Sequence, residues 1–497
     1  MSTISTVTMR RPMTQQSIGG IHRFFALRRS IRALFVQLFM LTLVGAPSSL
    51  IHAASVIQAQ AWITTDDQRM HLQPVTVERT GKHLAHPDIR IDADQRMQSI
   101  VGFGAAMTDA SSTLLLSMSA RQREAAMRYL FSRDGDGLGF DFVRVPIGAS
   151  DFSSIHYSLD DPPSQQPDPA LQHYRFDHVR DTAVPLLQQA RRLNSELSVM
   201  ASPWSAPGWM KDSNSLIKGT LRSEYTDAFA NYLARFARDM DASGVPLFAL
   251  TIQNEPSFEP GDYPGMRLSA AQRAAVITAL GSRLPAGVQI LEWDHNWDKP
   301  EEPLGVLADP AAARHVRGIA WHCYGGKVEA QSKVHDLHPQ LDAYLTECSG
   351  GDWEPVRSNG ISGQASTLVI ASMRNWARGV LFWNLALDDH AGPHLGGCGN
   401  CRGIVTVHPD GSFTPTDDAW ALAHASRFIR VGAVRIASSG NAIDQVAVVN
   451  PDGSRVLIAA NTGHNARKIS LCDSAACLRW TMPARSVATV RWHDLRR

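Results

Sequence analysis

Eight short apolar runs recur through the middle of this 497-residue chain, at residues 99–107, 140–148, 197–204, 248–254, 288–293, 318–324, 343–348 and 379–387. Segments of helical character lie between them, for example residues 120–131, 180–193 and 223–240. Alternating strand and helix demands a parallel sheet covered on both faces. Eight such units over roughly 290 residues predict a (β/α)8 TIM barrel of the α/β class. An open doubly wound sheet is the alternative, but no Gly-rich phosphate loop follows the first run.

The flanks have a different texture. Residues 61–94 show two-residue alternation, as in Val75-Thr-Val-Glu-Arg79 and Ile89-Arg-Ile-Asp92. After Phe428 come strand candidates at 431–437, 444–449, 456–461, 468–472 and 487–492, with turns such as Pro451-Asp-Gly453. This predicts a small antiparallel β-sandwich side domain. The N-terminal strands are expected to join it, because a two-stranded piece is marginal by itself. The expected division is a leader at 1–54, side-domain strands at 55–95, a catalytic barrel at 96–425 and the rest of the side domain at 426–497.

In the leader, Arg23, Arg28, Arg29 and Arg32 precede an apolar run at 33–46, followed by small residues. That run is short for a membrane span and suits a signal peptide. Export with cleavage is expected, to a periplasm or beyond the cell; an uncleaved anchor is the other reading. Six cysteines agree with an oxidising compartment. Cys398 with Cys401, and Cys472 with Cys477, are placed to close small loops, whereas one Cys-x-x-Cys does not make a metal site. Cys323 and Cys348 are read as free thiols. The net charge of +1 offers no argument for nucleic acid or an anionic membrane surface. No membrane-integral domain is expected once the leader is removed, and nothing in the chain speaks to oligomeric state.

The chemistry lies where the runs end. The second ends Arg144-Val-Pro-Ile-Gly-Ala-Ser-Asp151, the third Ser202-Pro-Trp204, the fourth Asn254-Glu255-Pro256, the sixth His322-Cys-Tyr324, the seventh Glu347 and the eighth Trp383-Asn384. In a barrel these ends converge on one face. Two carboxylates among aromatic, amide and imidazole groups fit glycoside cleavage better than phosphoryl or hydride transfer. Rings stack on a sugar, and a carboxylate pair supplies acid and nucleophile. Asn254 is placed to bond a 2-hydroxyl, and Arg144 and Tyr324 to steady an anionic Glu347. Glu259, Glu292 and Glu354 compete for the carboxylate roles. Trp204, Trp209, Trp383 and His322 each have a packing alternative, and Asp109 is either a helix cap or a site residue.

Several longer stretches carry a resemblance. Gly102-Phe-Gly-Ala-Ala-Met-Thr-Asp-Ala110, Arg144 to Ser153, Ala201-Ser-Pro-Trp-Ser-Ala-Pro-Gly-Trp-Met-Lys211, Asn254-Glu-Pro256 and Trp383-Asn-Leu-Ala-Leu387 resemble glycoside hydrolase family 30, most of all its glucosylceramidase branch. The resemblance runs in order from about residue 60 onward. It implies a barrel with a side β-domain built from both chain ends, and a retaining β-glycosidase needing no metal or organic cofactor. It implies Glu255 as acid/base and Glu347 as nucleophile. Asp151, Trp204, Asn254, Tyr324 and Trp383 would line the glucose subsite, with Arg144 and His322 in support.

The chain departs from that pattern at His394, where the glucosylceramidase pattern has Asn, in the Cys-containing insertion at 396–401, and between Pro256 and Pro264. These positions shape the leaving-group side, so His394 is expected to contact the aglycone. A glucosylceramide-like lipid is the first expectation for substrate. An endo-β-1,6-glucanase comes second, a xylan-cleaving enzyme third, and a non-catalytic carbohydrate-binding protein last.

Overall fold

The computed structural model describes residues 59–80, 84–163, 166–353, 360–474 and 476–493. The leader lies outside the described residues. Eight parallel strands close into a barrel: Gly102–Ala106, Phe142–Ile147, Ser198–Pro203, Ala249–Thr251, Gln289–Asn296, Val316–His322, Asp342–Glu347 and Ala377–Asn384. They are called strands one to eight below, and each falls on one of the eight apolar runs. Helices cover the outside. Residues Ala120–Phe131 form one helix, started by a Ser119–Gln122 capping box. The segment expected as one helix at 180–193 is two, Asp177–Asp181 and Ala183–Leu193, separated at Thr182.

Strand alternation builds the barrel interior in layers. Val101, Phe142, Met200, Ala249, Leu291, Ala320, Tyr344 and Leu381 form one apolar cluster, about one residue from each strand. This layer plugs the lumen. Two residues further along each strand, the same face carries Arg144, Ser202, Thr251, His322, Thr346 and Trp383. The interior therefore changes from hydrocarbon to polar within one pleat, towards the C-terminal ends of the strands.

Strand five breaks the rule. Alternation from Leu291 would turn Trp293 inward and Asp294 outward. Trp293 and Asp294 instead both have positive φ, 77° and 55°. Trp293 pairs with Ala320 and His295 with Trp321, which leaves Asp294 as the extra residue of a β-bulge. Trp293 turns out beneath Arg273 of helix Ala270–Leu280, whose guanidinium carbon lies 5.2 Å from the ring centre. Asp294 turns into the lumen.

A ten-stranded sheet is built from both chain ends. Its order is Gln73–Val75, Gln60–Thr65, Ser486–Trp492, Arg455–Asn461, Asp444–Val449, Val434–Ser439, Ile89–Ser99, Arg467–Cys472, Cys477–Met482 and Glu78–Thr80. Side chains from both ends of that order, among them Ile63, Leu457, Ala488, Ile469, Leu478 and Trp480, share one core, so the sheet folds onto itself as a sandwich. Pairing is antiparallel except between Ile89–Ser99 and Arg467–Cys472. Strand Cys477–Met482 was not foreseen from sequence. At the seam with the barrel, the imidazole of His424, on helix Asp417–Ser426, bonds Thr64 and Thr489 at 2.8 Å each. No described helix is long and apolar enough to cross a membrane.

Cys398–Cys401 and Cys472–Cys477 are disulfides, as expected. Cys323 and Cys348 are not free thiols but a third disulfide. The reason is register: His322 sits opposite Glu347 on adjoining strands, so the residues that follow them have Cα atoms 5.4 Å apart, inside disulfide range. Replacing both Cys323 and Cys348 by Ala is expected to lower the unfolding free energy by about 3 kcal/mol, the loop-closure value for a separation of 25 residues. The pair Cys398–Cys401 spans a separation of only 3, and its removal should cost less. Urea unfolding of the two double variants measures the difference.

Candidate active site

Asp294 is the centre of the polar layer. Its Oδ2 accepts from Arg144 Nη2 (2.7 Å), Ser202 Oγ (2.8 Å) and Thr251 Oγ1 (2.7 Å). Its Oδ1 accepts from Thr346 Oγ1 (2.7 Å) and faces His322 Nε2 at 3.1 Å. Arg144 is fully buried, and its three nitrogens divide the work. Nε donates to Ser202 (3.1 Å), Nη2 also to the side-chain oxygen of Asn254 (2.7 Å), and Nη1 to Glu347 Oε2 (2.5 Å). Strands two to seven, six in all, thus meet at one ion pair, and the guanidinium carries its geometry up to the next layer.

That next layer holds the two carboxylates. Glu347 receives Arg144 on Oε2 and the Tyr324 hydroxyl, at 3.0 Å, on Oε1. Glu255 Oε1 lies 3.2 Å from His322 Nδ1 and 3.4 Å from His295 Nδ1. The same His322 nitrogen is 3.9 Å from Glu347 Oε1. The Glu255 backbone is held in the left-handed region, φ 48°, with its N–H donating to the Asp294 carbonyl at 3.0 Å. A non-glycine residue there costs about 1–2 kcal/mol of strain. The turn it makes brings the side chain back over the lumen.

The wall is aromatic. Trp204 and Trp383 stack with centroids 5.0 Å apart, and the Arg144 guanidinium carbon lies 4.7 Å and 5.6 Å from their ring centres. Phe152 abuts Trp383, and His394 abuts Phe152. His394 is exposed, bonds the Gly396 carbonyl (3.0 Å) and stands one ring removed from Trp383. Asp151 is buried against Gly397, where an added Cβ would meet its side chain at 2.5 Å. Gly397 also has φ 69°, so both space and conformation require glycine.

Some candidates stand apart from this cluster. Glu292 points outward and pairs with Arg273 at 2.6 Å. Glu259 pairs with Arg267 at 3.0 Å and accepts from the Gly219 N–H. Glu354 lies outside the described residues. Trp209 is buried with its indole N–H on Asp160. Asp109 is not the cap, since Thr108 fills that place; it accepts from Ser153 and Tyr157 and contacts His178.

Sequence reading missed Asp294, His295 and Tyr263. The signal for the first two was the polar tail Asp294-His295-Asn296 on strand five, hidden because alternation points Asp294 the wrong way. Tyr263 is packed with Trp204 and Trp383, and burial followed by the charges of Asp151, Glu255 and Glu347 raises its hydroxyl.

Burial opposes every charge here, and the partners decide the outcome. For Asp294, Arg144 and His322 overcome burial and hold the carboxyl far below its usual range. For Glu255, burial acts upward, but the facing imidazoles of His295 and His322 bring it to about 2. For His322, Glu347, Asp294 and Glu255 outweigh burial and push it up to about 9. For Asp151, burial and then the Glu347 charge act together and push it up to about 8. At neutral pH the resting site holds a cationic His322, an anionic Glu255 and a neutral Asp151.

Comparison with known proteins agrees with this architecture. Residues 100–429 match the glycosyl hydrolase family 30 TIM-barrel domain and residues 432–490 the family 30 β-sandwich domain. The chain belongs to glycosyl hydrolase family 30. This family 30 chain is 32% identical to an endo-1,6-β-D-glucanase of Trichoderma harzianum, covering 90% of this chain and 96% of that one. It is 29% identical to the lysosomal acid glucosylceramidase of Mus musculus, covering 86% and 88%. The solved structure of the endo-β1,6-glucanase BT3312 superposes with a TM-score of 0.81 at 28% identity, covering 88% of this chain and 99% of that one. The chain is therefore a glycoside hydrolase.

Two outcomes test the site's electrostatics. Asp294→Asn removes the anion that faces Arg144 and is expected to lower the unfolding free energy by about 3–5 kcal/mol, the usual cost of breaking a buried ion pair, read by denaturant unfolding. His322 is raised from 6.5 to about 9, so its contribution to stability is complete below pH 6.5 and is lost as pH rises to 9. A ¹⁵N titration of the histidine rings should show His322 still cationic at pH 8.

Proposed function

We propose that this chain is a retaining β-glycosidase that cleaves within β-1,6-linked glucan chains. The observation that carries the mechanism is the convergence of Glu255 and Glu347 on one ring nitrogen, at 3.2 Å and 3.9 Å. That favours the carboxyl spacing of about 5–5.5 Å used in double displacement over the wider gap that admits a water in inverting enzymes. Glu347, held by Arg144 and Tyr324, attacks the anomeric carbon. Glu255 protonates the leaving oxygen as the glycosidic bond breaks, giving a covalent glycosyl-enzyme. Glu255 then takes a proton from water, whose oxygen displaces Glu347.

The proton for the first step is stored on the His322–Glu255 pair. It rests on His322 Nδ1 and reaches Glu255 along the 3.2 Å contact, leaving a neutral imidazole whose other N–H faces Asp294. Asp151, neutral up to about pH 8, has a hydroxyl to donate to a sugar oxygen. Asn254, Trp204, Trp383 and Tyr324 complete the subsite for the sugar that is transferred.

Two observations favour a glucan over a glycolipid. The endo-1,6-glucanase relative exceeds the mouse glucosylceramidase in both identity and coverage. Apart from Leu337, the last residue of helix Glu329–Leu337, the exposed large apolar residues among those described, Ile155, Phe258, Tyr324, Trp353 and Leu395, follow barrel strands two, four, six, seven and eight. They ring the mouth at separate points, which suits successive sugar faces along a chain. The order of preference from sequence, with glucosylceramide first, is thereby reversed. Export is part of the same proposal: three disulfides and the basic, then apolar, leader suit an oxidising compartment outside the cytoplasm.

Linear β-1,6-glucan and detergent-dispersed glucosylceramide test the substrate. Oligosaccharides released early from the first, with the second untouched, are expected; glucose and ceramide from the second alone would overturn the assignment. On the glucan, Glu347→Gln should abolish turnover and Glu255→Gln should reduce it about 10²–10⁴-fold, the usual value of general acid–base catalysis. Wild-type turnover in either variant would reject its role.

A further inference from the structure

One feature of the site serves no step of hydrolysis. His295 Nδ1 is buried and makes no hydrogen bond, although it faces Glu255 Oε1 at 3.4 Å. A buried imidazole nitrogen whose carboxylate neighbour is too poorly aligned for a hydrogen bond is left under-satisfied unless something else binds it. His295, with His322 and Glu255, makes the one group, among the described residues, whose metal-type ligand atoms, one from each side chain, all lie within 4.8 Å of one another.

We propose that Glu255, His295 and His322 form a binding site for a zinc-type divalent cation, and that its occupancy inhibits the enzyme. The geometry fits. Bonds of about 2.0–2.1 Å in a tetrahedral site put neighbouring ligand atoms about 3.3 Å apart. Two of the three edges here are 3.2 Å and 3.4 Å. The third, between one nitrogen of each imidazole, is within 4.8 Å. His322 already has the outer support that metal-binding histidines need: its far nitrogen faces the Asp294 carboxylate at 3.1 Å.

The charge balance also favours a cation. Glu255, Asp294 and Glu347 surround the position, three anions against the two cations Arg144 and His322 among the described residues. Glu255 keeps partial access to the cleft, with 14% of its side chain exposed, so a fourth ligand position opens towards substrate. Two imidazoles and one carboxylate with an open position are a donor set that suits zinc.

Binding takes up the lone pair of Glu255 Oε1 and expels the proton shared with His322. No proton then remains for the leaving oxygen, and no base for the second step. Occupancy is therefore inhibitory, and hydrolysis itself requires no metal. Inhibition rests on the acid/base role proposed for Glu255; binding does not.

The test uses the full chain, freed of metal by chelation and titrated with zinc chloride by calorimetry, with glucan hydrolysis followed in parallel. About one equivalent should bind, activity should fall at least tenfold at saturation, and EDTA should restore it. Cobalt(II) in place of zinc should give the intense visible absorption of a tetrahedral centre. Both His295→Ala and the isosteric Glu255→Gln should weaken binding at least tenfold. No stoichiometric binding, or binding unchanged in both variants, would overturn the site. Binding lost in both variants, but with wild-type hydrolysis undiminished by zinc, would leave the site standing and reject the inhibition together with the acid/base role of Glu255.

Discussion

The structure depends on one buried ion pair, Arg144 with Asp294. An arginine inside a barrel is expensive to desolvate, and a single carboxylate opposite it does not by itself offset that cost. Here the remaining donors and acceptors are filled from strands three, four, six and seven, so each lone pair of Asp294 that faces protein is used. The pair is thereby a joint between strands as well as a charge contact. It also sets direction: the guanidinium fork leaves the lumen floor and meets both Asn254 and Glu347 from below. The layer of Glu255 and Glu347 inherits its positions from the layer beneath.

The electrostatics follow from the same arrangement. A fixed positive charge beside Glu347 and a titratable one beside Glu255 give the two carboxylates different surroundings within a few ångströms. Differentiated surroundings are what allow two chemically similar groups to take unlike roles. The division is made by which neighbour can lose its proton: Arg144 cannot, and His322 can.

Most of the fold was legible because the signals repeat. Eight apolar runs at similar spacing leave few topologies, and each run became a barrel strand. The side sheet was legible from turns and alternation, though Cys477–Met482, with its polar residues on alternate positions and a disulfide at its start, was overlooked. Glu255, Glu347, Arg144, His322 and Tyr324 were legible because each ends or follows a run. Asp294 was not, for a specific reason. Period-two reasoning assumes an unbroken pleat, and a bulge at Trp293-Asp294 inverts it. The Cys323–Cys348 bond was missed because neither residue is near the other in sequence; only the pairing of His322 with Glu347 brings them together. The expectation of His394 as a direct aglycone contact remains a matter of reach, since the side chain meets Phe152 and not the carboxylates.

The bulge on strand five also constrains how such a chain can change over time. Deleting Trp293 would restore ideal alternation, relieve two left-handed residues and leave a smoother sheet. By the same alternation Asp294 would then hold the inward position two residues after Leu291, and what would be lost is the outward Trp293 ring against the Arg273 guanidinium. A shorter and locally more comfortable strand therefore lies one codon away, and it gives up an outer contact to the covering helix rather than the inward carboxylate.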